Sequence, residues 1–210
     1  MATITQTSIC NSALIKVGAE RISSIDDANK RARLCKEQYE KVRNDLLQSH
    51  PWNFAITRRT LALVATYTPA FEYTKAFQVP NDVLRVLDTS LNTGHQIGER
   101  KWNVEVDPIS NLKLLVCNES AVDIRYIKDV GEAFFTPAFA ELLAAKLAVD
   151  LSYSLTQSAK HTALLQQQFD QKIKDVRSFD AMEGSVRVVE ADDWLLARLA
   201  GGPGFFTMND

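Results

Sequence analysis

Carboxylates, histidines and thiols are the side chains that most often carry acid–base, metal or nucleophilic chemistry, and here they are sparsely placed. Glu190, Asp192 and Asp193 fall within four residues, close enough for two carboxylates to serve as a hydrolytic pair. The same residues suit a solvated helix start before Trp194 to Leu199, where free N–H groups favour negative charge. We adopt this second reading and keep a hydrolytic enzyme, with Glu190 paired to Asp192 or Asp193, as the alternative. His50, His95 and His161 never pair at i, i+3 or i+4, so no helix face offers two imidazoles to one metal, and no metal is expected. Cys10, Cys35 and Cys117 are odd in number, far apart and without a C-x-x-C. They predict buried reduced thiols rather than a disulfide scaffold or zinc ribbon.

No P-loop, G-x-G-x-x-G, H-E-x-x-H or EF-hand loop can be written from this chain, and Gly184-Ser185 follows a helical stretch rather than a strand-to-helix elbow. No cofactor and no catalytic residue are therefore expected. The basic groups Lys30-Arg31 with Arg33, and Arg58-Arg59, have acidic residues close by and read as solvated faces. The whole chain carries 24 Lys+Arg against 26 Asp+Glu over 210 residues, a formal net charge of −2. A strongly basic nucleic-acid binder is excluded on that balance, and 46% hydrophobic with 24% charged residues excludes a disordered or collagen-like chain. The longest apolar candidate, Ala138 to Leu151, is interrupted by Glu141, Lys146 and Asp150, so no membrane span is expected. Met1 to Gln6 shows no basic region leading into an apolar run, and no secretory signal is expected.

The elements that must position these residues follow from periodicity. A first helix is predicted from about Thr5 to Gly18, with Ile9, Ala13 and Val17 on one stripe and Gly18 as its stop. Ala28, Ala32, Cys35, Tyr39, Val42 and Leu46 recur every three or four residues and predict a second helix. Ser24, Asp26 or Asp27 is its expected cap, and Pro51 its end. From Trp52 to Val130 the period shortens to two. Ile56–Val64, Val83–Leu87, Trp102–Val106, Leu112–Val116 and Ala121–Ile127 read as strands of one small antiparallel sheet. The helical period returns with Pro137 at a first-turn position, then Phe139, Leu142, Leu143, Leu147, Leu151 and Leu155. A fourth helix runs from about Ser158, with Leu165, Phe169, Ile173 and Val176 inward.

The fold class expected is α+β, mainly α. Residues 1–50 and 132–189 form a helical bundle, residues 51–131 an inserted β region, and residues 190–210 an extended tail. In that tail Trp194, Leu195, Leu196, Leu199, Phe205 and Phe206 surround a Gly201-Gly202-Pro203-Gly204 hinge. Large apolar residues gathered this way mark a protein-docking segment, and these six are the expected partner-binding residues.

Several stretches together resemble the tail tubular protein A family, the head-to-tail adaptors of short-tailed bacteriophages. They are Ala13-Leu14-Ile15-Lys16-Val17-Gly18 with Ile22-Ser23-Ser24-Ile25-Asp26-Asp27, Cys35, Tyr39 and Val42-Arg43-Asn44-Asp45-Leu46-Leu47; His50-Pro51-Trp52-Asn53-Phe54-Ala55 with Arg58 and Leu61-Ala62; Tyr73, Ala76, Val79-Pro80-Asn81-Asp82 and Leu84-Arg85-Val86; and Tyr126-Ile127, Asp129, Phe135, Pro137 and Phe139 with the Leu/Ala-rich helix to Thr156. Their order and spacing over residues 9 to 185 are more specific than any one piece. The resemblance implies a structural, non-enzymatic virion protein, made in the host bacterial cytoplasm and built into a dodecameric ring. Such a ring lies between the capsid portal protein and the tail nozzle protein. Double-stranded DNA passes through its channel without sequence-specific binding.

Overall fold

Local capping decides where each helix begins in the computed structural model, which describes residues 3–92 and 101–183. Helix α1 (Gln6–Val17) opens on Thr5, whose hydroxyl accepts from the Ser8 N–H while Ser8 Oγ accepts from the Thr5 N–H at 2.9 Å. It closes on Gly18 at φ 81°, a left-handed conformation that a Cβ would strain. Helix α2 (Lys30–Ser49) is capped by Asn29, which accepts from Ala32 at 2.8 Å. The expected caps are engaged elsewhere. Asp27 folds back to accept from Ser23 and Ser24, and Asp26 pairs with Lys36 at 2.6 Å, so Ala28 lies before the helix and is exposed. His50, preceding Pro51, is extended and ends α2, as the proline ring requires. Helix α3 (Pro137–Thr156) takes Thr136 as cap with Pro137 in its first turn. Helix α4 (Ala159–Met182) takes Ser158.

Helix α3 packs against α1, α2 and α4. Phe139, Leu142, Leu143, Leu147 and Leu151 are all buried along it, together with four alanines or valines. Tyr39, Cys35, Val42 and Leu46 of α2 and Ile9, Ala13 and Val17 of α1 join the same core. Just beyond α2, Trp52 anchors the corner. Its indole N–H donates to the Leu46 carbonyl at 2.9 Å, and its ring meets Phe139 edge-on with centroids 5.1 Å apart. Phe54 and Phe135 crowd Phe139 at 4.9 and 4.8 Å.

Among the described residues seven strands lie between α2 and α3, and they form two antiparallel sheets rather than the single sheet expected. The first runs in the order β1 (Ile56–Thr60), β7 (Asp123–Lys128), β4 (Val83–Thr89). The second runs β2 (Ala62–Leu63), β3 (Lys75–Gln78), β6 (Lys113–Cys117), β5 (Trp102–Val106). The predicted strand Ile56–Val64 is therefore two strands, divided at buried Leu61, because the chain leaves β7 for β3 there. Val83, Ile124 and Tyr126 of the first sheet pack onto Phe77, Leu115 and Cys117 of the second. Ile127 points to the other face and enters the helical core.

The outer face of the second sheet is covered as well. Ala76, Leu114 and Val116 lie beneath Tyr73, with Val64, Tyr67 and Leu112 around them. Residues Leu114 to Cys117 are consequently all buried, which is why β6 reads as an unbroken apolar run. Strand β5 sits at the edge of its sheet, and Val106 is 61% exposed, so the Val104/Val106 alternation does not mark a buried face. Strand β3 carries no period-two signal and was not anticipated.

Replacing Phe139 by Ala removes a fully buried ring from the junction of Trp52, Phe54 and Phe135. A loss of about 3–5 kcal/mol in urea unfolding is expected, against about 1 kcal/mol for Asn29→Ala at the α2 cap.

Candidate interaction site

Polar side chains tie the helices to one another and to the sheets. Glu141 of α3 receives Lys16 of α1 at 3.0 Å and Lys172 of α4 at 3.4 Å, so one carboxylate links three helices. Burial works to raise its pKa, but the hydrogen bond and charge of Lys16, joined by Lys172, outweigh burial and hold it below the usual range. Arg43 of α2 reaches Asp129, just past β7, at 2.7 Å. The Tyr39 hydroxyl donates to Glu132 at 2.9 Å, and burial together with that carboxylate pushes the phenol far above its ordinary pKa. Arg85 of β4 donates to the Gln48 carbonyl at 2.9 Å.

At the end of α4 Asp180 gathers the chain around Pro51. It lies 3.1 Å from His50 Nε2 and accepts from the Asn53 N–H at 3.0 Å. Burial lowers the His50 pKa, and Arg177 and Arg85 add to this, outweighing the attraction of Asp180. The imidazole is thus favoured as a neutral N–H donor to Asp180, a role in positioning the chain. The remaining titratable groups do not converge. Among the described residues no group of three or more His, Cys, Asp and Glu side chains is placed to hold a metal ion. His161 sits in the first turn of α4, remote in the chain from His50. His95 lies outside the described residues, as do Glu190, Asp192 and Asp193.

All three described cysteines are buried and unbridged. Cys10 and Cys35, twenty-five positions apart in the sequence, are brought into contact where α1 meets α2. Their mutual hydrogen bond, then burial, push the Cys10 thiol up and keep it protonated. The same hydrogen bond lowers the Cys35 thiol against its burial, but both side chains are fully buried, so neither is placed to meet a substrate as a nucleophile. The basic groups singled out in the sequence are dispersed. Lys30 donates to the Ser154 carbonyl, Arg31 pairs with Glu20, and Arg58 and Arg59 are exposed on opposite faces of β1.

Among the described residues, two of the concave surfaces open to solvent bear on contact. A polar pocket of about 240 Å³ lies on the first sheet, where Arg58 stands opposite Arg125 across β1 and β7, and Arg125 reaches Asp88 of β4 at 3.7 Å. A larger groove of about 690 Å³ runs between α1 and the start of α3, lined by Ile4, Ile9, Phe135, Pro137 and Ala140, with Ser8, Ser12 and Glu141 on its rim. Sequence reasoning did not find this groove, since its walls come from residues more than 120 positions apart. Exposed apolar side chains also stand at the tips of the β region. Ile109 is 90% exposed on a turn fixed by Asp107, whose carboxylate accepts from the Ile109 N–H and the Ser110 hydroxyl, and Phe71 is similarly open.

No protein-family model matches this chain, and no curated protein matches it. The six expected docking residues, Trp194, Leu195, Leu196, Leu199, Phe205 and Phe206, lie outside the described residues. What the geometry supplies is therefore a set of surfaces suited to contact: an apolar groove, held tips and a charge-linked helical layer. Among the described helices none is long and apolar enough to cross a membrane.

The Glu141 link sets a pH dependence. Its folded pKa is depressed below the ordinary 4.5, so its contribution is present above that value and is lost as pH falls through the folded pKa. Chemical denaturation of wild type and Glu141→Gln should show the wild type ahead at pH 7, with the gap closing as pH falls below the ordinary 4.5. A gap independent of pH would mean the carboxylate charge does not tie these helices.

Proposed function

We propose that this chain is a structural subunit of a head-to-tail adaptor ring of a short-tailed bacteriophage. In this reading residues 1–50 and 132–189 form the helical bundle, residues 51–131 the inserted β region, and residues 190–210 the docking tail. The observation that carries it is where the family-like segments fall. Ala13, Leu14, Tyr39, Trp52, Ala55, Ile127, Phe135 and Phe139 come from stretches scattered along the sequence and occupy one contiguous core. Val79 and Tyr126 do the same between the sheets. Segments that resemble the family in order are thus the ones on which this fold depends.

The physical demands of such a ring suit the surfaces described. A closed ring needs two different faces on each subunit that meet around a rotation. A helical layer joined by the Lys16–Glu141–Lys172 link offers a stiff lateral wall, and the β region offers projecting apolar tips to a neighbouring ring. A channel should not grip DNA, because each phosphate contact holds the duplex back. Twelve copies at −2 carry a charge on the order of −24, which repels rather than binds a polyanion. The tail from Trp194 to Phe206 is assigned to the portal protein.

Electron microscopy of the purified chain with and without a portal protein tests this. Twelvefold rings, or a twelvefold layer added to the portal, are expected, and removing residues 190–210 should leave a folded monomer that no longer joins. Asp192→Ala and Asp193→Ala should assemble normally. A chain that neither forms rings nor binds the portal overturns the proposal, as does hydrolytic turnover abolished by one of those two substitutions.

A further inference from the structure

The polar pocket on the first sheet is built around two arginines that the strand register sets face to face. Arg58 of β1 lies directly opposite Arg125 of β7, and Asp88 of β4 lies opposite Arg125 on its other side. Like charges at such positions stand about 5 Å apart at Cβ and repel. The repulsion is only partly offset. Asp88 Oδ2 is 3.7 Å from Arg125 Nη2, longer than a hydrogen bond, and Asp88 Oδ1 accepts from the Thr89 N–H at 2.9 Å. The Nε–H of Arg125 is buried without an acceptor. Arg58 is exposed and makes no ion pair among the described residues. Two guanidinium groups thus share one pocket with donors to spare.

A compact anion between the arginines would satisfy both, and the rest of the lining says which kind. Asp123, whose carboxylate accepts from the Thr60 hydroxyl at 2.6 Å, also lines the pocket. Arg58 and Arg125 are therefore balanced by Asp88 and Asp123, and the lining is formally neutral. A phosphate brings up to two negative charges against those carboxylates. A carboxylate brings one, and its planar pair of oxygens matches the guanidinium fork. The pocket, about 240 Å³, is smaller than the roughly 300–1,000 Å³ of sites for larger ligands, and suits one acidic side chain or one small organic acid. Both arginines sit on strands, and two positions along the same face of β7 Ile127 is buried in the helical core. The site is thus held on packed elements, which keeps the geometry of its donors in place.

We infer that this pocket binds a carboxylate between Arg58 and Arg125, carried by an acidic side chain of a partner or by a small organic acid. Asp88 and Asp123 set its preference for one negative charge over two. The site goes beyond the adaptor reading and does not rest on it, because its test needs neither a ring nor a portal.

Amide NMR titrations of the full chain at constant ionic strength test this, with propionate as the small acid and a capped Ala-Glu-Ala peptide as the acidic side chain. Saturable shifts confined to the amides around Arg58, Thr89, Ser90 and Arg125 are expected, and the probe that saturates at the lower concentration identifies the source. The Arg58→Gln variant should bind that probe about tenfold more weakly, the loss expected for one charge-assisted hydrogen bond. Inorganic phosphate should bind more weakly than the better carboxylate; tighter phosphate binding overturns the carboxylate assignment. No saturable shift with either probe, or equal affinity in Arg58→Gln, overturns the site itself. As an independent readout, Arg58→Gln relieves the repulsion with Arg125 and should unfold at a urea concentration no lower than wild type. A clearly lower midpoint would show that Arg58 is held by a structural partner, and the unsatisfied donor on which the inference rests would be gone.

Discussion

Helix α3 has to keep apolar side chains from water on several sides at once, and the other helices are arranged around that need. Phe139, Leu142, Leu143, Leu147 and Leu151 are each essentially inaccessible, and burying one such side chain stabilises the fold by roughly 1.5–3 kcal/mol. A helix so apolar can exist only inside other elements. Helices α1, α2 and α4 supply amphipathic faces for it, and the Trp52–Phe54–Phe135–Phe139 aromatic group closes the end nearest the sheets. The ion pairs from Glu141 to Lys16 and Lys172 add register to this packing, since an apolar stripe alone tolerates sliding.

The sheets depend on the same core. Ile127 enters it from β7, and Leu84 and Leu87 enter it from β4 at two irregularities in the β4–β7 register. Bulges of this kind turn an extra residue toward a chosen face, and here that face is the helical layer. The opposite face of the first sheet then packs on the second sheet through Ile124 and Tyr126. Arg43 to Asp129, Tyr39 to Glu132 and Arg85 to Gln48 fasten the boundary between helices and strands.

The helices were legible because each repeats apolar residues over many turns. Thr5, Thr136, Pro137, Ser158 and Gly18 all sit where capping chemistry puts them. The α2 cap was misassigned because several residues before Lys30 have side chains able to cap, and only the folded loop shows that Asp26 and Asp27 are already occupied. Strand existence was largely legible and sheet number was not. Period two says that a strand has two faces, but not which neighbour lies across from it. Strand β6 is apolar at successive positions because loop residues such as Tyr73 cover its second face, a contact of more than forty positions' separation. The groove and the Cys10–Cys35 contact were illegible for the same reason.

By itself the sequence determined the class of protein: an α+β chain with near-balanced charge, four amphipathic or apolar helices, and no local motif of catalysis or metal binding. Those properties are local, set by composition and by spacing within a turn or a strand. Only the tertiary structure decided that the strands divide into two sheets at Leu61, that one carboxylate joins three helices, and that α1 and α3 leave an apolar groove between them. Each of these depends on which distant segments meet, and that is settled by burying apolar surface while leaving most buried polar groups a partner, a condition on the whole chain at once.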